Sequence, residues 1–203
     1  MISVYLLKNK FQALLRPISN SFVRIGISAN FVTISAFMLS GMSGVLVYML
    51  APQNRLWYWI LPIILFVRMA LNAIDGMIAK EHNQKTDLGA ILNELGDMLS
   101  DCVIYIPFLY TLKVNTILIM VYALLAVISE AVGIMGLQIG ASRRYDGPMG
   151  KSDRAFWMGL MALILAYDNI SQKTLTYITS VMCGLLVFTL YNRIVSALRE
   201  VNK

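Results

Sequence analysis

Two short stretches place carboxylates and amides inside otherwise apolar helices. Residues 72–80 read Asn-Ala-Ile-Asp-Gly-Met-Ile-Ala-Lys, and residues 89–101 read Gly-Ala-Ile-Leu-Asn-Glu-Leu-Gly-Asp-Met-Leu-Ser-Asp. Polar groups of this kind are costly in a bilayer, and an ionisable residue within a membrane span marks a functional site by default. Spaced three or four apart, residues 68, 72, 75, 76 and 79 share one helix face, and residues 89, 93, 97 and 101 share another. Two such stripes on an antiparallel pair form a polar cleft. A seam that only joins helices needs one or two polar residues. Four carboxylates (Asp75, Glu94, Asp97, Asp101) beside one arginine, Arg68, exceed that, and the excess negative charge must be neutralised by protonation or by a cation, the reading preferred here. Oxygen-only ligands favour Mg²⁺ or Mn²⁺ over zinc.

The elements that position these residues follow from composition. Hydrophobic residues make up 58% of the chain and charged residues 14%. A span needs about 20 mostly apolar residues. Six stretches qualify, near 30–51, 57–79, 89–112, 115–142, 154–170 and 174–196. The expected fold is an all-α membrane protein, one domain over 1–203: a surface helix and linker over 1–27, then six transmembrane helices over 28–203. The N-terminal segment sets Lys8, Lys10 and Arg16 beside Phe11, Leu14 and Leu15, the pattern of an amphipathic helix lying on a membrane. No cleaved leader is expected.

Basic residues predict the orientation. Thirteen lie on one side of this layout: Lys8, Lys10, Arg16 and Arg24; Lys80 and Lys85; Arg143, Arg144, Lys151 and Arg154; Arg193, Arg199 and Lys203. Three lie on the other: Arg55, Lys113 and Lys173. Positive residues stay inside, so both termini are expected in the cytoplasm. The net charge of +6 then fits anionic lipid head groups and not nucleic acid.

Depth can be compared across the turn between the second and third spans at about 1.5 Å per residue. Asp75 comes level with Asn93, Asn72 with Asp97, and Arg68 with Asp101. Glu130 on the fourth span reaches a similar depth. The expectation is a buried Arg68–Asp101–Glu130 network, with Asp101 structural. Cys102 and Cys183 read as small buried apolar residues, and His82 as a solvated loop residue.

The register Asn72-x-x-Asp75-Gly76-x-x-Ala79-Lys80, eight residues, then Gly89-x-x-x-Asn93-x-x-x-Asp97 resembles the signature of the CDP-alcohol phosphotransferases, and most closely small bacterial members of unassigned substrate. That signature is D-x-x-D-G-x-x-A-R-x8-G-x-x-x-D-x-x-x-D. The segment Ser28-Ala29-Asn30-Phe31-Val32-Thr33 is similar to the family's entry to the first span. The resemblance implies a surface helix, six spans and a homodimer in the bacterial inner membrane. It implies transfer of a phosphatidyl group from CDP-diacylglycerol, or a related CDP-lipid, to an alcohol, with release of CMP. Metal ligands would be Asn72, Asp75, Asn93 and Asp97, with Glu94 as a substitute. Asp97 would also be the general base. Asn30, Thr33, Gly76, Ala79, Lys80 and Gly89 would receive the donor nucleotide and diphosphate. Three positions depart from the signature: Asn72 and Asn93 replace aspartates, and Lys80 replaces arginine. An amide carbonyl can ligate Mg²⁺ but brings no charge, and lysine keeps the charge of arginine without its fork.

A basic loop follows the fourth span: Arg143, Arg144, Lys151 and Arg154 around Gly147-Pro148-Met149-Gly150. Family members with phosphorylated acceptors carry basic residues here, so the resemblance points to an anion pocket and an acceptor such as glycerol phosphate. Gly150-Lys151-Ser152 is no triphosphate loop, because Tyr145 stands where that motif needs glycine. Two other readings stay open. The asparagines suit a non-catalytic relative that binds lipid or a partner enzyme. Intramembrane acids suit a small transporter, although inverted repeats are lacking.

Overall fold

The computed structural model describes residues 4–202, and their side chains from residue 10. The ends of the expected domain, residues 1–3 and 203, lie outside it, as does the side chain of Lys8. The described residues form helices and no strand. Helix α1 runs Val4–Arg24, α2 Ala29–Leu50, α3 Ile60–Glu81 and α4 Asp87–Thr111. Helices α5 (Thr116–Met135), α6 (Lys151–Tyr167) and α7 (Gln172–Val201) complete the bundle. One 3₁₀ turn, Arg55–Trp59, leads into α3 and another, Gly136–Ile139, extends α5.

Side-chain caps fix several helix starts. Ser28 accepts from the Phe31 amide, Thr86 from Gly89, Asn115 from Ile117 and Ser171 from Thr174. Each satisfies an amide that has no partner within its own helix. Gln84 reaches back from the α3–α4 turn to the Ala29 amide at 3.0 Å, which ties that turn to the entry of α2.

Six helices follow α1, as expected, but four segments are long and apolar enough to cross a membrane among the described residues: Ala29–Leu50, Arg55–Glu81, Thr116–Ile139 and Gln172–Val201. Helix α4 falls short because Asp87, Glu94, Asp97 and Asp101 fall within its 25 residues. Helix α6 has only 17 residues. The fourth span, expected to 142, ends earlier, because Gly140 takes a left-handed conformation and closes the turn after Ile139.

The main core joins α2 through α7 around Leu61, Ile104, Tyr105, Phe108, Tyr122, Met158 and Leu186. A second cluster joins α1 to the ends of α2 and α3 through Leu15, Val32, Ile74 and Ile78. Helix α1 turns Leu15 and Ser19 inward and leaves Leu14 and Ile18 exposed. The aligned ends of α2, α3 and α4 converge where the polar stripes lie.

Helices α2 and α4 approach backbone to backbone at Gly44. A Cβ there would collide with the Val103 carbonyl oxygen and lie 3.0 Å from its carbon, whereas one at Gly41 would meet nothing within 4 Å. Overpacking costs about 1–3 kcal/mol. Gly44→Ala should therefore lower the Tm of the purified protein in detergent, and Gly41→Ala should not; equal effects would contradict this packing.

Candidate active site

The two stripes meet as their spacing requires. Asn72 donates from Nδ2 to Asp97 Oδ1 at 3.0 Å. Arg68 donates to Asp101 Oδ1 at 3.0 Å. Asp75 and Asn93 line one cavity of about 500 Å³. Its wall also takes Asn30 and Thr33 from α2, Gly76, Ala79 and Lys80 from α3, and Gly89 from α4. Every residue expected to receive the donor is thus in one place. Gln84, Lys85 and Thr86 of the α3–α4 turn and Asp87 at the start of α4 line it too. Their loop composition gave no signal; only the fold brings them in.

The two signature glycines serve different ends. A Cβ on Gly89 would lie 2.6 Å from the Asn30 side-chain oxygen, so this glycine leaves room for the Asn30 side chain where it lies. A Cβ on Gly76 would meet nothing within 4 Å. Its bare backbone is open cavity wall, and a ligand can come close to it.

Oxygen donors are plentiful in the cavity. Asp75 Oδ2 accepts from the Thr33 hydroxyl at 2.7 Å, which leaves its other oxygen to the cavity. Asn72 spends its NH₂ on Asp97, so its carbonyl oxygen is the free end. Asp97 lies one turn deeper. The same oxygen that accepts from Asn72 receives Arg68 at 3.5 Å and an ion pair from Lys151. Among the described residues no three His, Cys, Asp or Glu side chains gather as a metal site. Where the α3 and α4 stripes face each other the cavity presents the Asp75 carboxylate and the amides Asn72 and Asn93, and Asp87 lines it from the start of α4. They fit one hard divalent cation, which takes oxygen ligands from carboxylates and amides alike. A second cation at Asp97 would have to displace the Lys151 ammonium.

Glu94, expected as a substitute ligand, points elsewhere. It accepts from Arg143 at 2.7 Å and does not line the cavity. The physical reason is helical: one residue from Asn93 is a 100° rotation, which carries Glu94 off the stripe.

Behind the cavity lies a buried ion network. Asp101 is held by Arg68 on one side and by Arg154 on the other, whose Nε donates to Oδ2 at 2.8 Å. Arg154 also donates to Glu130 at 3.0 Å and to the Met149 carbonyl. Arg193 of α7 pairs with Glu130 at 3.4 Å and donates to the Ser129 carbonyl. The structural reading of Asp101 holds. The expected Arg68–Asp101–Glu130 network gains a member, because Arg154 stands between the two acids and joins them. Arg154 and Arg193 had been counted as loop and terminal charges, yet both are fully buried. For Arg193 a signal existed: Thr179, Met182, Leu186, Thr189, Arg193 and Ala197 make one buried stripe at helical spacing.

Of the four basic residues expected to form an anion pocket, Arg143, Lys151 and Arg154 turn to one acidic cluster, where each is paired, and Arg144 does not. Lys151 holds Asp97, Arg154 holds Asp101 and Glu130, and Arg143 holds Glu94. Arg144 turns the other way, to Asp146 at 2.8 Å and to Glu200. Burial pushes the Asp146 carboxyl up, but its hydrogen bond and charge contact with Arg144 outweigh that and hold it below its ordinary value. Closeness in sequence did not survive the loop. Residues 143 and 144 lie in an extended strap, where successive side chains diverge, while 151 and 154 sit on one face of α6. His82, read as solvated, is half-buried against Asn20 at 3.1 Å.

Comparison with known proteins places this geometry in context. A family model described as CDP-alcohol phosphatidyltransferase matches residues 27–198. The inner membrane protein YnbA of Escherichia coli (strain K12) is 42% identical over 197 residues, 97% of each chain. A protein of Aquifex aeolicus (strain VF5) is 30% identical over 102 residues, 50% of this chain and 47% of that one. Among solved structures, the Mycobacterium tuberculosis phosphatidylinositol phosphate synthase PgsA1 with CDP-DAG bound superposes with a TM-score of 0.73 at 17% identity, covering 93% of this chain and 94% of that one. The same enzyme in complex with manganese and citrate gives a TM-score of 0.73 at 16% identity, covering 90% and 88%. At such identities the structural match speaks for the fold.

The network makes a graded prediction. Removing one partner of a buried pair costs about 3–5 kcal/mol, because the other charge is left uncompensated. Arg154→Leu strips both Asp101 and Glu130 of a close partner. Arg68→Leu leaves Asp101 with Arg154. Thermal unfolding in detergent should show a clearly larger loss for Arg154→Leu; the reverse order would contradict the network.

Proposed function

Since the chain belongs to the CDP-alcohol phosphatidyltransferase family, we propose that it transfers a phosphatidyl group from CDP-diacylglycerol, or a related CDP-lipid, to an alcohol and releases CMP. The observation that carries this reading is the cavity at the joined ends of α2, α3 and α4, where Asn30, Thr33, Asp75, Gly76, Lys80 and Gly89 meet. It offers what a nucleotide diphosphate needs: bare backbone at Gly76, a cation in Lys80 and oxygen ligands for a metal. A divalent cation, Mg²⁺ or Mn²⁺, bound there would neutralise the diphosphate as the leaving group departs. Asp75, Asn72 and Asn93 are the residues that would hold it. Thr33 fixes the Asp75 carboxylate at 2.7 Å, so that group is oriented in advance.

In this proposal Asp97 receives the proton of the attacking hydroxyl. Asn72, Arg68 and Lys151 all hold one of its oxygens, which leaves the other to act as base. Lys80 steadies the phosphate charge as a point cation. The lipid tails stay in the bilayer beside the exposed apolar faces of α2 and α3, such as Phe31, Met38, Ile63 and Phe66.

We place the protein in the inner membrane with six spans, both termini cytoplasmic, α1 on the membrane surface and two copies paired. What supports the surface placement is that α1 turns Leu14 and Ile18 away from α3. The contact of Lys151 with Asp97 favours a second reading, in which the chain binds a CDP-lipid without turning it over.

Purified protein given CDP-diacylglycerol, Mn²⁺ and a panel of alcohols should release CMP. Asp75→Asn removes the carboxylate of the ligand set and should lower kcat by at least about a hundredfold, as loss of a charge-stabilising group does. Asn72→Asp with Asn93→Asp should tighten Mn²⁺ binding read by EPR titration. Protection by CDP-diacylglycerol without CMP release from any acceptor would select the second reading.

A further inference from the structure

The reachable cations beside Asp97 are Arg143 and Lys151, each partly exposed. Neither is free. Lys151 is on Asp97, and Arg143 is on Glu94 at 2.7 Å and within 3.7 Å of Glu130. The deeper cations, Arg68, Arg154 and Arg193, are buried and committed to Asp97, Asp101 and Glu130. In this network all five cations are paired among four carboxylates, Glu94, Asp97, Asp101 and Glu130. A phosphate arriving there finds each of these cations already engaged by a carboxylate. An incoming phosphate would also have to lie beside the Glu94 carboxylate or strip Arg143 from it. Like charges brought together in this way cost several kcal/mol.

We propose that the acceptor is an alcohol carrying no phosphate group, and that Glu94 sets this preference by occupying Arg143. The proposal rests on the transferase reading and sharpens it to a substrate class. Arg143 is held from a second side, since it donates to the Tyr145 hydroxyl at 2.8 Å and lies over that ring. Its guanidinium is therefore already placed for an anion, and Glu94 supplies that anion from within the chain. Glutamine at 94 keeps the shape and the hydrogen bond, removes the charge, and leaves Arg143 to take a phosphate.

The test uses the full chain, CDP-diacylglycerol, Mn²⁺ and two matched pairs of acceptors: glycerol with glycerol 3-phosphate, and inositol with inositol 1-phosphate. CMP release with an unphosphorylated member should exceed that with its phosphorylated counterpart by at least about tenfold, the discrimination a like-charge clash supplies. Glu94→Gln should narrow that ratio, through a lower KM for the phosphorylated member. Faster release with the phosphorylated members of wild type overturns the proposal, and so does an unchanged ratio in Glu94→Gln. A readout without turnover runs beside it. Glycerol 3-phosphate should leave the Tm of wild type unmoved and raise that of Glu94→Gln. A shift already present in wild type overturns the proposal. Absence of CMP release from every acceptor overturns the transferase reading instead, and the Tm comparison still decides whether Glu94 blocks the phosphate.

Discussion

One carboxylate sealed between two arginines organises this bundle. Asp101 on α4 takes Arg68 from α3 and Arg154 from α6, and Arg154 goes on to Glu130 of α5, which Arg193 reaches from α7. Five helices are thus joined through charges that cannot be left bare. Two charges in a low-dielectric interior cost several kcal/mol each to desolvate, so each must find its partner. That requirement fixes the rotation of each helix. A bundle of apolar helices packs in many registers, and a buried ion pair is satisfied in one.

The rotation so fixed decides what faces the cavity. With Arg68 and Asp101 locked behind it, the α3 stripe shows Asn72, Asp75 and Gly76, and α4 shows Gly89 and Asn93. Asp97 lies at the boundary, between the network and the cavity, and shares Arg68 with Asp101. Toward the cavity, amides stand at positions 72 and 93 of the two stripes. Asn72 ends up as a joint: its NH₂ serves Asp97 and its carbonyl is left to the open side. An aspartate there would set a third carboxylate beside Asp75 and Asp97, and Lys151 supplies positive charge at that point already.

Much of this was legible in the sequence because it depends on two helices joined by a short turn. From Lys80 and Gly89, helical rise alone gives the pairing of Asn72 with Asp97 and of Arg68 with Asp101, and both are hydrogen-bonded. Depth does not reveal azimuth, however. Glu130 is at the right level, but α5 meets α6 and α7 there, and Arg154 and Arg193 take it. Rules that count basic residues by loop also mislead at helix ends. Arg154 stands in the first turn of α6 and points inward, where a loop charge would have met water. Arg144 parts from Arg143 because side chains near one another along a strap need not share a direction. The membrane spans were legible where the helices are apolar, and least so for α4, which carries four acids.

The central claim is that a CDP-linked lipid and a single divalent cation meet in the α2–α3–α4 cavity. Anomalous diffraction from crystals grown with CDP-diacylglycerol and Mn²⁺ tests this directly. The account predicts one manganese peak, ligated by Asp75 with the carbonyls of Asn72 and Asn93, cytidine diphosphate against Gly76, and Asp97 still paired with Lys151. A nucleotide lodged outside this cavity, or manganese bound at Glu94 and Glu130, would contradict it.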